Sequence, residues 1–195
     1  ICSGDREVRE KLWRREAHRG FEIEGKTIGI IGFGHTGRAF AEKLQGFHAD
    51  VLAYDKYKEN FAKSLPHVKE VTLDKLLRVS DIISFHVQLT KETNYYFDRL
   101  FLKKCKDGVI IVNTSRGKVV NTEVLLAGIK GGKIGGACLD VFENEKPETF
   151  TSKEEAVYGE LYEMDNVVLS PHVAGWTVES KEKIASYLLK KVLSV

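Results

Sequence analysis

Six runs of near-continuous aliphatic and β-branched residues punctuate this chain: 26–32 (KTIGIIG), 50–55 (DVLAYD), 81–87 (DIISFHV), 108–114 (GVIIVNT), 134–142 (IGGACLDVF) and 166–170 (NVVLS). A weaker seventh lies at 68–71. They do not alternate as a strand with one wet face does, so each reads as a strand covered on both sides. Between them lie amphipathic candidates at about 36–47, 72–79, 95–106 and 121–131. Strand and helix in strict alternation leave few folds open. The sequence predicts an α/β, doubly wound parallel sheet of about seven strands with helices on both faces.

The two ends differ from this middle. Residues 5–19 carry ten charges in fifteen positions, with Val8, Leu12 and Trp13 the only large apolar side chains. They read as a solvated helix whose thin apolar stripe suits a partner chain. From Thr177 onward Ile184, Leu188 and Val192, with Ala185 and Leu189 beside them, fall on one helical face. Thirty basic and 28 acidic residues are interleaved along the chain, giving a formal charge of +2 and no basic block. Nucleic acid is therefore not an expected partner. No apolar run approaches the roughly 18 residues of a membrane span, so no membrane partner is expected. Cys2, Cys105 and Cys138 are odd in number and lack metal-ligand spacing, so no metal is expected and a reduced, cytoplasmic setting is the simplest fit.

Two glycine motifs compete. Gly20 with Gly25-Lys26-Thr27 formally matches a phosphate loop, but it precedes a strand instead of a helix and holds Glu22 and Glu24, which repel phosphate. The second, GFGHTG, has the required context: a strand before it and a helix with Phe40, Ala41 and Leu44 after it. Gly32 allows the tight turn, Gly34 lets the backbone approach a pyrophosphate, and Gly37 lets helix and strand pack closely. The next strand ends in Asp55, which can accept hydrogen bonds from both hydroxyls of an adenosine ribose. Its charge opposes a 2′-phosphate, so a Rossmann-type site for NAD is expected over one for NADP.

Other polar residues stand at strand ends: Arg116, then Asp140 with Glu145, then His172. In a parallel sheet these ends share one edge. An arginine, a carboxylate and a histidine suffice for hydride transfer to a 2-keto acid. The arginine clamps the substrate carboxylate and polarises the keto oxygen. The histidine supplies the proton, and the carboxylate beside it favours the charged imidazole. Glu143 is an alternative to Glu145. Ser115 lacks the G-x-S-x-G elbow that would make it a hydrolase nucleophile.

In order and spacing, GFGHTG…YD, HVQLT, NTSRG, GACLDVFENE and LSPHVAGWT resemble the D-isomer-specific 2-hydroxyacid dehydrogenases, with a texture like the D-3-phosphoglycerate dehydrogenase members. The resemblance runs from about 25 to 180. It implies that Arg116, Glu145 and His172 are catalytic and that His35 and Thr36 lie at the pyrophosphate. It places Val87, Thr114 and Asp140 at the nicotinamide half, with Asp140 holding the carboxamide. Gln88 replaces the usual proline, and Lys146 displaces the proline after Glu145. The resemblance also implies a linker and dimerisation helix at 1–24, a dinucleotide-binding domain at 25–176, and a return helix at 177–195 leading to a substrate domain largely outside this chain. A homodimer through the cofactor domain, and a cofactor-domain fragment inactive alone, are expected on the same ground. The competing expectation is a non-catalytic module that senses NAD. It needs only the glycine loop and Asp55.

Overall fold

The structure is a computed structural model that describes residues 2–194. Among the described residues seven strands form one sheet: β1 (Thr27–Ile31), β2 (Asp50–Tyr54), β3 (Val68–Glu70), β4 (Ile82–Phe85), β5 (Val109–Asn113), β6 (Ile134–Leu139) and β7 (Val167–Leu169). Their order is β3-β2-β1-β4-β5-β6-β7 and every pair is parallel. All seven expected strands are present. The order reverses beside β1, which pairs with β2 on one flank and β4 on the other, and a doubly wound sheet opens its ligand crevice at such a point.

Alternation along the strands divides the core into two layers. Ile28 and Ile30 pack with Val51, Ala53 and Val68 beneath α2 (His35–Leu44), which contributes Ala41 and Leu44. Ile31, Ile83, Phe85 and Ile111 face the other way. They meet α3 (Leu73–Val79), α4 (Arg99–Lys104), α5 (Thr122–Lys130) and α6 (Ser152–Tyr162) through Leu76, Phe101, Leu125 and Leu161. The sheet edge is therefore held from both sides, and the loops leaving it have a rigid base.

Three elements differ from expectation. The N-terminal segment is not one helix: α1 (Cys2–Arg9) ends at a left-handed Lys11, and a 3₁₀ turn follows at Arg15–His18. Glu7 draws Arg14 and His18 back onto α1, and no residue of either piece is buried, so nothing apolar rewards a continuous helix. Helix α4 begins at Arg99 rather than near 95, because Tyr95 is left-handed, Phe97 bridges Val120, and Asp98 caps the Phe101 amide. Helix α6 has no strong apolar stripe. It buries only Tyr158 and Leu161 and starts from a Thr151–Glu154 capping box. The last helix, α7 (Val178–Leu193), buries no residue, with Ile184, Leu188 and Val192 each more than half exposed. Among the described residues no helix is long and apolar enough to cross a membrane.

Candidate active site

The glycine loop folds as its sequence requires. Gly32 has φ +90°, and a Cβ there would lie 2.5 Å from the His86 carbonyl oxygen. A Cβ on Gly37 would lie 2.1 Å from the Gly32 carbonyl oxygen, so β1 and α2 meet closer than any side chain allows. At Gly34 the space a Cβ would take is open, and this residue caps α2 with no side chain over the helix terminus. The exposed first turn, His35 and Thr36, thus offers its free amides and the positive end of the helix dipole to an anion. That is the geometry a pyrophosphate needs.

A cleft of about 290 Å³ opens beside the loop, between the segments that follow β2 and β4. Ile31, Gly32 and Gly34 form its floor, Asp55 to Lys58 one wall, and His86 to Gln88 with Glu92 the other. Asp55 accepts from the Phe33 amide at 2.8 Å and from the Tyr57 amide at 2.9 Å. Each of its oxygens keeps a further lone pair for a ligand hydroxyl. Val87 lies against Gly32, within 2.9 Å of the position its Cβ would occupy. The residues present fit a dinucleotide.

Further along the same edge, Asn113 is 1 % exposed and organises the Arg116 turn. Its amide group donates to the Arg116 carbonyl at 3.0 Å, and its Oδ1 accepts from the Ser115 amide and hydroxyl. Thr114 and the Arg116 side chain are left exposed, with one guanidinium nitrogen donating to the Ser115 carbonyl. The turn is pressed against the end of β6: a Cβ on Gly117 would lie 1.8 Å from the Phe142 carbonyl oxygen.

His172 and Glu145 meet, with Nδ1 3.0 Å from Oε2. Glu143 points elsewhere. It accepts from the Tyr95 hydroxyl at 2.6 Å and from the Thr122 amide at 2.7 Å, and the hydrogen bond, together with burial, pushes the Tyr95 phenol up to about 12. The loop between the two acids is pinned by Asn144, whose amide donates to the Tyr158 hydroxyl. His172 itself is held in the left-handed region at φ 56°, an uncommon backbone for a residue with a side chain.

Asp140 fixes that backbone. It is 3 % exposed, and its Oδ1 accepts from the Ser170 hydroxyl at 2.6 Å and the Val173 amide at 2.8 Å. Its Oδ2 accepts from the Ala174 amide at 2.9 Å. Burial alone would raise its carboxyl, but these donors outweigh that and hold it below the usual carboxylate range. In the structure Asp140 thus grips the loop that carries His172. Ser170 and Gly117 were not singled out from the sequence, although both stand inside its strand-end motifs.

The sequence pattern of one family, described as "D-isomer specific 2-hydroxyacid dehydrogenase, NAD binding domain", matches residues 1–174. The chain belongs to this family. Its cofactor is accordingly NAD. A hydroxypyruvate reductase of Thermotoga maritima is 39 % identical over 185 residues, 95 % of this chain and 58 % of that protein. A D-3-phosphoglycerate dehydrogenase of Archaeoglobus fulgidus is 36 % identical over 195 residues, 100 % of this chain and 36 % of that protein. Among solved structures, the D-lactate dehydrogenase of Aquifex aeolicus complexed with NAD and lactic acid superposes with a TM-score of 0.85 at 34 % identity, covering 97 % of this chain and 59 % of that one. The chain thus spans less than two thirds of the length of these family members.

His86 gives the cleft a pH-sensitive wall. Burial pushes its imidazole down to about 4, with Nε2 2.9 Å from the Ser84 hydroxyl and the ring against Phe40. An unfolded chain protonates this histidine near 6.5, the folded one only near 4, so the unfolded state binds more protons between these values. The resulting stability is fully present above about pH 6.5 and is lost as pH falls towards 4, amounting to about 3 kcal/mol. Urea unfolding at pH 7 and pH 4.5 should show most of this loss in the parent and little of it in His86→Gln.

Proposed function

We propose that residues 25–176 form the cofactor domain of an NAD-dependent oxidoreductase that interconverts a small D-2-hydroxy acid and its 2-keto acid. The observation that carries this is the 3.0 Å pairing of His172 with Glu145 on the sheet edge that also holds Arg116 and the glycine loop. A module that only sensed NAD would need neither the pair nor the arginine. On this reading Gly32, Gly34 and Gly37 with the first turn of α2 hold the pyrophosphate, Asp55 holds the ribose, and Val87, Thr114 and Asp140 lie towards the nicotinamide. When bound, NAD supplies the hydride acceptor for oxidation, and NADH the hydride for reduction.

The chain's own residues do the rest. Arg116 binds the substrate carboxylate and draws electron density from the neighbouring oxygen. His172 holds the proton that leaves the hydroxyl in oxidation and returns it to the carbonyl oxygen in reduction. Glu145 orients the ring through Nδ1, which leaves Nε2 for the substrate. Residues 1–24 act as a linker and dimerisation segment, and 177–195 as a return helix towards a substrate domain. Lactate, glycerate and 3-phosphoglycerate are the acids to try first. A reducing, cytoplasmic setting suits the three free thiols.

Calorimetry should detect NAD binding by this chain, with turnover slow because Arg116 and His172 stand at an open, hydrated edge. Asp55→Ala should weaken NAD and narrow the preference over NADP. A parent that binds NADP as tightly as NAD would remove the role given to Asp55.

In an enzyme with its substrate domain, Glu145→Gln should lower turnover by roughly tenfold or more with little change in NAD affinity, since a neutral amide orients the His172 ring less firmly than the carboxylate 3.0 Å from Nδ1. Unchanged turnover would leave Glu145 with no part in orienting His172.

A twofold homodimer through the cofactor domain completes the reading. It is supported by Trp13, 78 % exposed, and Leu12 on the charged N-terminal segment. Light scattering should find twice the monomer mass, and a monomer at high concentration would exclude it.

A further inference from the structure

A second acid stands across the cofactor cleft from Asp55. Glu92, in the loop after β4, accepts a hydrogen bond from the Tyr57 hydroxyl and pairs with the Lys56 ammonium. Lys56 and Tyr57 follow Asp55 directly, so these contacts bridge the cleft from one wall to the other. The loop that carries Glu92 is folded on itself. The Thr90 amide donates to Thr93 Oγ1 at 2.8 Å, and that hydroxyl donates to the Gln88 carbonyl at 2.5 Å.

Such a bridge contributes little to the fold. The Lys56 side chain is 54 % exposed and that of Glu92 38 %, and exposed pairs of this kind are worth little in water. Its consequence is for the charge that a ligand meets. A ribose 2′-phosphate is favoured by a cation near the end of this strand, where an acid instead suits the free 2′-hydroxyl. Two lysines line that wall of the cleft, Lys56 and Lys58, and both are engaged: Lys58 donates to the Phe33 carbonyl at 2.9 Å, and Lys56 is held by Glu92.

We infer that Glu92 is a specificity-determining residue for the cofactor, withholding Lys56 from a 2′-phosphate and adding a second negative charge to the pocket that would receive it. This rests on the reading of the cleft as a dinucleotide site. Preference for NAD is then set by two acids from opposite walls. Asp55 rejects the phosphate directly, and Glu92 removes the nearest cation that could compensate.

Three proteins test this by titration calorimetry with NAD and with NADP: the parent chain, Glu92→Gln, and the double variant Glu92→Gln/Lys56→Met. Glu92→Gln should raise the ratio of NADP to NAD affinity by about tenfold at low salt, with the gain shrinking as salt screens it. The double variant should lose that gain. A ratio within about twofold of the parent would overturn the inference while leaving NAD binding and the dinucleotide reading intact. A gain that survives in the double variant would overturn the part given to Lys56. A parent that binds neither nucleotide would remove the dinucleotide reading and this inference with it.

Discussion

β1 pairs in parallel with β2 on one side and β4 on the other, and the chain leaves its end through a turn in which the helix that follows nearly touches the carbonyl of Gly32. Everything else in the site is arranged around that contact. Parallel strands bring the ends of β2, β4, β5, β6 and β7 to the same edge, so residues separated by up to 140 positions in sequence, from Gly32 to His172, line one continuous rim. A bulkier residue at Gly37 would drive α2 away from β1, and the open amides of its first turn would no longer face the cleft.

The rim is held together mainly by carboxylates and amides acting on backbone. Asp55 joins the Phe33 and Tyr57 amides, Glu143 joins the Tyr95 loop to the start of α5, and Asp140 ties three donors around the histidine loop. Charge-assisted bonds of this sort are stronger than neutral ones and more directional. Glu145 differs in kind. Its Oε2 meets an exposed imidazole, and the pair faces solvent, where a substrate can reach it. Within three residues, then, two glutamates have unlike surroundings: Glu143 fastens the scaffold, and Glu145 faces solvent beside His172.

Much of this was legible in the sequence, for identifiable reasons. Central strands covered on both faces leave near-continuous apolar runs and were visible for that reason, whereas the edge strand β3, with Lys69 and Glu70 exposed, left only a weak signal. The glycine loop and Asp55 were legible because strand, turn, helix and acid have to occur in that order. Helix α6 was not, because its stability comes from the Thr151 capping box and from two buried residues, too few to write a periodic stripe. The N-terminal helix was over-read, because charge density says nothing about where a chain turns, and Glu7 reaches back to Arg14 and His18 instead of supporting a straight helix. Glu143 and Glu145 are indistinguishable by type and spacing. Only the backbone of the loop, pinned through Asn144 to Tyr158, decides which of them faces His172.

The near-contact of Gly117 with the Phe142 carbonyl has a consequence for how such a site diversifies. Backbone pressed on backbone joins the arginine turn and the glutamate loop into a single caliper, whose jaws are spaced before any ligand arrives. An acid seated between them would present its carboxylate and its neighbouring oxygen at a gauge the ligand does not set. On the function proposed above, what distinguishes one hydroxy acid from another would be measured outside the jaws, by surfaces free to drift while the caliper keeps its setting.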